Sequence, residues 1–120
     1  MSRQIAADKF YFEGRGPELQ RALWDDRGTT LLAVEYHDTD GTLRHVRFRA
    51  PQVVMFTPEE VVCDGEQGGA LDLGRSAWFQ SFAQPHLERC SHFQLLFYDE
   101  LLDVICESLE FADEAFTPTA

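Results

Sequence analysis

Two β-rich runs separated by a tight-turn signal constrain this chain more than any other feature. In the stretch TTLLAVEYHDTDGTLRHVRFRA, Asp38-Thr39-Asp40-Gly41 divides two runs rich in branched and aromatic residues. An Asp-Gly pair between such runs favours a tight hairpin, because glycine reaches the positive φ that the turn requires. Side chains alternate between faces along a strand. Leu32, Val34 and Tyr36 therefore share one face of the first run, and Leu31, Ala33 and Glu35 the other. In the second run Arg44, Val46 and Phe48 alternate with Leu43, His45, Arg47 and Arg49, and the arginines are expected mostly to face away from the core.

The rest of the chain is read around this hairpin. Lys9-Phe10-Tyr11-Phe12-Glu13 reads as a first strand broken by Gly14 and Gly16. Pro17 and the spacing of Leu19, Leu23 and Trp24 predict a short helix or turn that stops at Gly28. Val53-Val54-Met55-Phe56, between Pro51 and Pro58, is expected as a buried strand, and residues 63–74, with four glycines, as a mobile loop. Ser76 is placed to cap a helix through Phe82, limited by Pro85. Phe93, Leu95 and Phe97 alternate with His92, Gln94 and Leu96 in a strand, which Tyr98-Asp99-Glu100 can turn back into a partner carrying Val104, Cys106 and Ser108. Leu101, Leu102, Ile105 and Leu109 also fit the stripe of an amphipathic helix, and both readings of that segment stand. The expected fold class is α+β: an antiparallel sheet of four to six strands with one or two short helices packed on one face. One domain spanning residues 1–120 is expected, loosely ordered at 1–8 and 112–120.

Charge narrows the partners. The 120 residues carry a formal net charge of −11, from 21 acids against ten bases. Residues 61–120 hold eleven of the acids and only Arg75 and Arg89 among the bases, and from Asp99 onward seven acids stand with no base. Such a field disfavours direct contact with a nucleic-acid backbone and suits a cationic partner. No apolar run reaches the roughly 18 residues of a membrane span, and the opening MSRQIAADKF lacks the apolar segment of a signal peptide, so the cytoplasm is the expected location. Cys63, Cys90 and Cys106, an odd set without repeating spacing, fit free thiols in a reducing compartment.

The candidate chemistry is sparse. His86, Cys90 and His92 form the one close grouping of soft ligands, at a spacing that matches no standard zinc pattern. No G-x-S-x-G turn occurs, and Gly65, Gly68 and Gly69 lack the Lys and Ser or Thr of a phosphate-binding loop. The adjacent acids Asp25-Asp26, Glu59-Glu60 and Asp99-Glu100 read as solvated turns. Arg44, Arg47 and Arg49, with Tyr36 across the hairpin, make the one basic patch and are expected to pair with the chain's own acids. Trp24 or Trp78, if exposed, would mark a binding anchor. The chain is accordingly expected not to be an enzyme, and no catalytic, cofactor-binding or metal residue is assigned.

Residues 92–106, HFQLLFYDELLDVIC, resemble the terminal hairpin of small uncharacterised bacterial α+β proteins, some of them similar to immunity proteins of toxin systems. The resemblance implies a cytoplasmic protein that acts by binding, with an acidic surface that blocks a basic toxin domain. It transfers no functional residue. Charge and resemblance together give the expectation of an acidic, immunity-like or inhibitory module that engages a basic protein partner through Asp99, Glu100, Asp103, Glu107 and Glu110. The alternatives are a small metal protein or enzyme built on His86, Cys90 and His92, and a self-associating structural subunit that forms a homodimer through an exposed sheet edge or an aromatic patch.

Overall fold

The hairpin forms as the alternation dictates. In a computed structural model of the protein, which describes residues 3–5, 17–25, 31–38, 41–58, 69–82, 84–98 and 100–112, strands β3 (Leu31–His37) and β4 (Leu43–Arg49) pair antiparallel with Val34 opposite Val46. The Asp38 N–H donates to the Thr42 carbonyl and the Gly41 N–H to the Asp38 carbonyl, both at 2.9 Å. Gly41 sits at φ 86°, the left-handed conformation that glycine supplies without steric penalty.

Around this pair the described residues form two antiparallel sheets. The other strands are β1 (Arg3–Ile5), β2 (Glu18–Asp25), β5 (Val53–Pro58), β6 (Gly69–Gly74), β7 (Ser91–Leu96), β8 (Glu100–Cys106) and β9 (Ser108–Ala112). One sheet has the order β2-β3-β4-β9 and the other β1-β6-β7-β8-β5. A four-residue helix, α1 (Ala77–Gln80), and a 3₁₀ turn (Pro85–Arg89) link β6 to β7. None of the described helices is long and apolar enough to cross a membrane.

One core serves both sheets. Leu32, Val34, Tyr36, Val46 and Phe48 come from the four-stranded sheet. Ala70, Phe93, Leu95, Leu102, Val104 and Cys106 come from the five-stranded one, with Phe97 from the β7–β8 turn. Tyr36 and Phe97 meet with ring centroids 5.8 Å apart. The sheets are also joined covalently by a bent two-stranded ribbon. β4 pairs with β9 up to Arg49 opposite Ser108, and β5 resumes against β8 with Val53 opposite Ile105. At the bend the Glu107 N–H donates to the Arg49 carbonyl at 3.0 Å and the Gln52 N–H to the Ile105 carbonyl at 2.7 Å. Ala50 turns this corner at φ 52°. Strands that switch sheets at such a corner are a standard way to close a two-layer β core.

The antiparallel, sheet-rich architecture with short helical segments agrees with the expectation, but its extent does not. The strands exceed four to six, and a second sheet covers the face that helices were expected to cover. Residues 18–25 are strand β2, not a helix or turn. The reason is a register shift between Leu19 and Arg21, which brings Leu19, Ala22 and Trp24 opposite Tyr36, Val34 and Leu32 and so erases the period of two in the sequence. Residues 69–74 of the expected glycine loop are strand β6. The Val53–Phe56 run is a strand, but it lies at the edge of its sheet with Met55 and Phe56 exposed. Residues 100–112 are two strands and not a helix, because β8 lies between neighbours and is covered on both faces, which makes its apolar residues continuous. The Lys9–Glu13 strand, Cys63 and the tail from residue 113 lie outside the described residues.

Candidate functional site

The sheet face turned away from the shared core carries a buried chain of polar side chains. At the end of β6 the Gly74 N–H donates to Asp72 Oδ1 at 2.9 Å, and Gly74 takes φ 58°, which turns the chain out of the sheet. Two residues later Ser76 caps α1, its Oγ accepting from the Phe79 N–H at 3.1 Å. That is the usual task of a cap serine, since the first amides of a helix have no partner within it. On the sheet beneath, β7 and β8 set His92 opposite Ile105 and Gln94 opposite Asp103, which places these four side chains on the face away from the shared core.

The result is a continuous hydrogen-bonded chain. Ser76 Oγ lies 2.7 Å from His92 Nδ1, and His92 Nε2 lies 2.6 Å from Asp103 Oδ1, which also accepts from Gln94 Nε2 at 3.0 Å. His92 is 4% exposed and Asp103 3%. With the ring hydrogen on Nε2, His92 donates to Asp103 and accepts the Ser76 hydroxyl, so every group in the chain has a partner. Trp78 covers the imidazole at a centroid distance of 4.7 Å and meets Phe82 edge-on at 5.4 Å. Phe79, Leu87, Cys90 and Ile105 form a second apolar cluster beside it.

The order Ser–His–Asp invites comparison with hydrolytic triads. The geometry instead describes a pin. Ser76 Oγ is already an acceptor for the helix, the serine meets Nδ1 and the aspartate Nε2, the reverse of a triad's arrangement, and Trp78 packs against the ring. The nearby open cleft of about 470 Å³ is lined by Arg75, Phe79, Gln80, Gln84, Pro85, Leu87 and Glu88, and by neither Ser76 nor His92. Its arginine is exposed and tied to the cleft wall: Nη2 donates to the Glu88 carbonyl at 2.6 Å and the guanidinium stands 5.3 Å from the Phe79 ring centre.

This chain of bonds corrects two expectations. Asp103, expected on an acidic contact surface, is the buried acceptor for His92 and Gln94 and meets no solvent-borne partner. His86, Cys90 and His92 do not converge: His86 is exposed on the 3₁₀ turn, Cys90 is buried, and His92 is committed to Ser76 and Asp103. Among the described residues no group of three or more His, Cys, Asp or Glu side chains is placed to hold a metal ion. Burial raises the Cys90 thiol pKa and pushes that of Cys106 to about 12, so neither is poised as a thiolate.

The other described acids of the expected surface lie apart from one another. Glu107 is exposed at the corner between β8 and β9, and Glu110, on β9, has a side chain 71% exposed. Glu100 is half-buried at the far end of β8, seven residues of strand or roughly 23 Å from Glu107. Asp99 lies outside the described residues. Three of the four described arginine side chains of the first half meet acids. Arg21 meets Glu35 at 2.6 and 3.1 Å, and Arg44 meets Asp38 at 2.7 Å. Arg47 reaches Glu110 at 3.6 Å, and Arg49 is exposed. The hydrogen bond from Arg21 holds the buried Glu35 carboxyl below its ordinary range, and the Arg21 guanidinium pKa rises in turn. Tyr36 is part of the inter-sheet core and offers no surface for a base to stack on. Trp24, by contrast, is 58% exposed on edge strand β2.

Compared with known proteins, the chain matches no family model, no curated protein and no solved structure.

Proposed function

We propose that this protein is a small acidic binding module that engages a basic protein partner in the cytoplasm, an immunity-like or inhibitory role being the most concrete form of that reading. The observation that carries it is the excess negative charge of the second half, eleven acids against two bases within a net −11, of which the Arg47–Glu110 pair offsets one acid. Two of the ion pairs support it by where they are spent: Arg21 and Arg44 are paired with Glu35 and Asp38, acids of the first half, and so do not neutralise the second. Burial of Asp103 leaves Asp99, Glu100, Glu107 and Glu110 as the proposed contact, of which the last three are described. A field of one sign accelerates encounter with an oppositely charged partner and suppresses wrong ones more than it adds affinity.

The test is affinity capture from the native cell with two baits, the wild-type protein and one carrying Glu100→Lys, Glu107→Lys and Glu110→Lys. The reading expects a basic protein that the wild type retains at low salt and that the variant releases. A partner held equally by both baits would remove this surface from the account.

A further inference from the structure

Residues 75–90 are attached to the molecule differently from every strand around them. Their apolar contacts form a cluster of their own, Phe79, Leu87, Cys90 and Ile105 flanked by Val53, Trp78 and Phe82, which shares no residue with the inter-sheet core. Their polar bonds close mostly within the segment. Arg75 donates to the Glu88 carbonyl, Gln80 to the Arg75 carbonyl and Ser81 Oγ to the Trp78 carbonyl, and the backbone bonds from Ser76 to Cys90 stay inside it as well. Among the described residues the one hydrogen bond that leaves the segment for the sheet is Ser76 Oγ to His92 Nδ1. At its start stands Gly74, left-handed and with nothing within 4 Å of where a Cβ would be. A self-bonded segment that starts after a left-handed glycine at the end of a strand, with a small separate apolar contact and, among the described residues, a single hydrogen bond to the sheet, has the makings of an independent opening unit.

We propose that residues 75–90 are a hinged cap, latched onto the five-stranded sheet by the Ser76–His92–Asp103 chain, that opens as one unit while the core between the sheets stays closed. Opening swings α1 and the 3₁₀ turn away about Gly74 and uncovers the apolar sheet surface at Val53 and Ile105. Asp103 and Gln94 hold His92 in position for the latch, and Ser76 engages it.

Two free cysteines report on this directly. Cys90 is buried in the cap cluster and Cys106 in the inter-sheet core, on opposite faces of one sheet. Native-state alkylation with iodoacetamide, followed by cleavage at Arg89 and Glu100, puts the two thiols on separate peptides. Removing the latch hydroxyl in Ser76→Ala is expected to raise the labelling rate of Cys90 about tenfold, the effect of losing a cap bond, with Cys106 unchanged. Ser76→Thr keeps the hydroxyl and is expected to label as the wild type does. Cys90 and Cys106 accelerating together, or Cys90 indifferent to Ser76→Ala, would overturn the proposal. The wild type supplies an independent check by hydrogen exchange. The amides of Phe79, Ser81 and Cys90 should share one opening equilibrium, populated about a hundredfold more than that of Leu95 and Val104. A common rate for all five would equally refute it.

Discussion

Replacing Asp103 by alanine should be among the most damaging single changes the protein can suffer, far beyond what a surface carboxylate would cost. Asp103 is 3% exposed and its Oδ1 accepts from His92 Nε2 at 2.6 Å and from Gln94 Nε2 at 3.0 Å. Hydrogen bonds to a charged group contribute about 1.5–3 kcal/mol each, and a buried donor left without its acceptor costs about 1–3 kcal/mol. The loss expected for Asp103→Ala is therefore about 3–4 kcal/mol. Asp103→Asn keeps an oxygen in the same place for His92 and should cost only about 1–2 kcal/mol. In urea, with a slope of about 2 kcal/mol per molar for a domain of this size, the midpoint should fall by about 1.5–2 M for alanine and by less than about 1 M for asparagine. Circular dichroism read against urea makes the measurement. A shift below about 0.5 M for Asp103→Ala would mean that the carboxylate is solvated, and the latch described above would then have no anchor.

Two further changes probe other parts of the fold. Because Arg21 lowers the pKa of Glu35 in the folded state, the pair contributes stability above the ordinary carboxyl value of 4.5 and loses it as pH falls through the depressed value. The stability gap between wild type and Glu35→Gln, measured by thermal unfolding, should thus be full at pH 7 and close below pH 4.5; a gap that widens in acid would contradict the pairing. Ala50 turns the corner between the sheets at φ 52°, where a Cβ is disfavoured by about 1–2 kcal/mol. Ala50→Gly relieves that strain against a smaller entropic loss and should raise stability by about 0.5–1 kcal/mol in chemical unfolding, whereas a net loss would show the corner to be unstrained.

The parts of the fold that could be read from the residues are those where a local rule and the tertiary structure agree. The β3–β4 hairpin carries its turn chemistry and its alternation in one stretch, and Ser76 sits before a helix that needs a cap. β2 was illegible for a definite reason: the irregularity after Leu19 shifts the positions paired with Tyr36, Val34 and Leu32 from odd to even numbers, and the 19, 23, 24 spacing of its apolar residues imitates a helix. β8 was ambiguous because burial on both faces removes alternation, and Glu107 then breaks the strand where it passes between sheets. The polar chain was hidden by distance, since Ser76, His92 and Asp103 come together only through the pairing of β7 with β8 and the fold-back of α1. One signal for it stood in the sequence. Asp103 is a lone acid between Leu102 and Val104 in an apolar run, and a charge in such a place is almost never left without a buried partner.

Glu100, Glu107 and Glu110 do not form the single acidic face expected from the sequence, so recognition by charge would rest on the net field of the molecule alone, and that is measurable. Once a basic partner is in hand, its association rate should be followed as salt is raised from about 0.02 to 0.15 M, over which the screening length shrinks from roughly 20 to 8 Å. Steered binding predicts a rate that falls by tenfold or more over that range while dissociation changes little. An association rate that is flat across it would contradict recognition by charge.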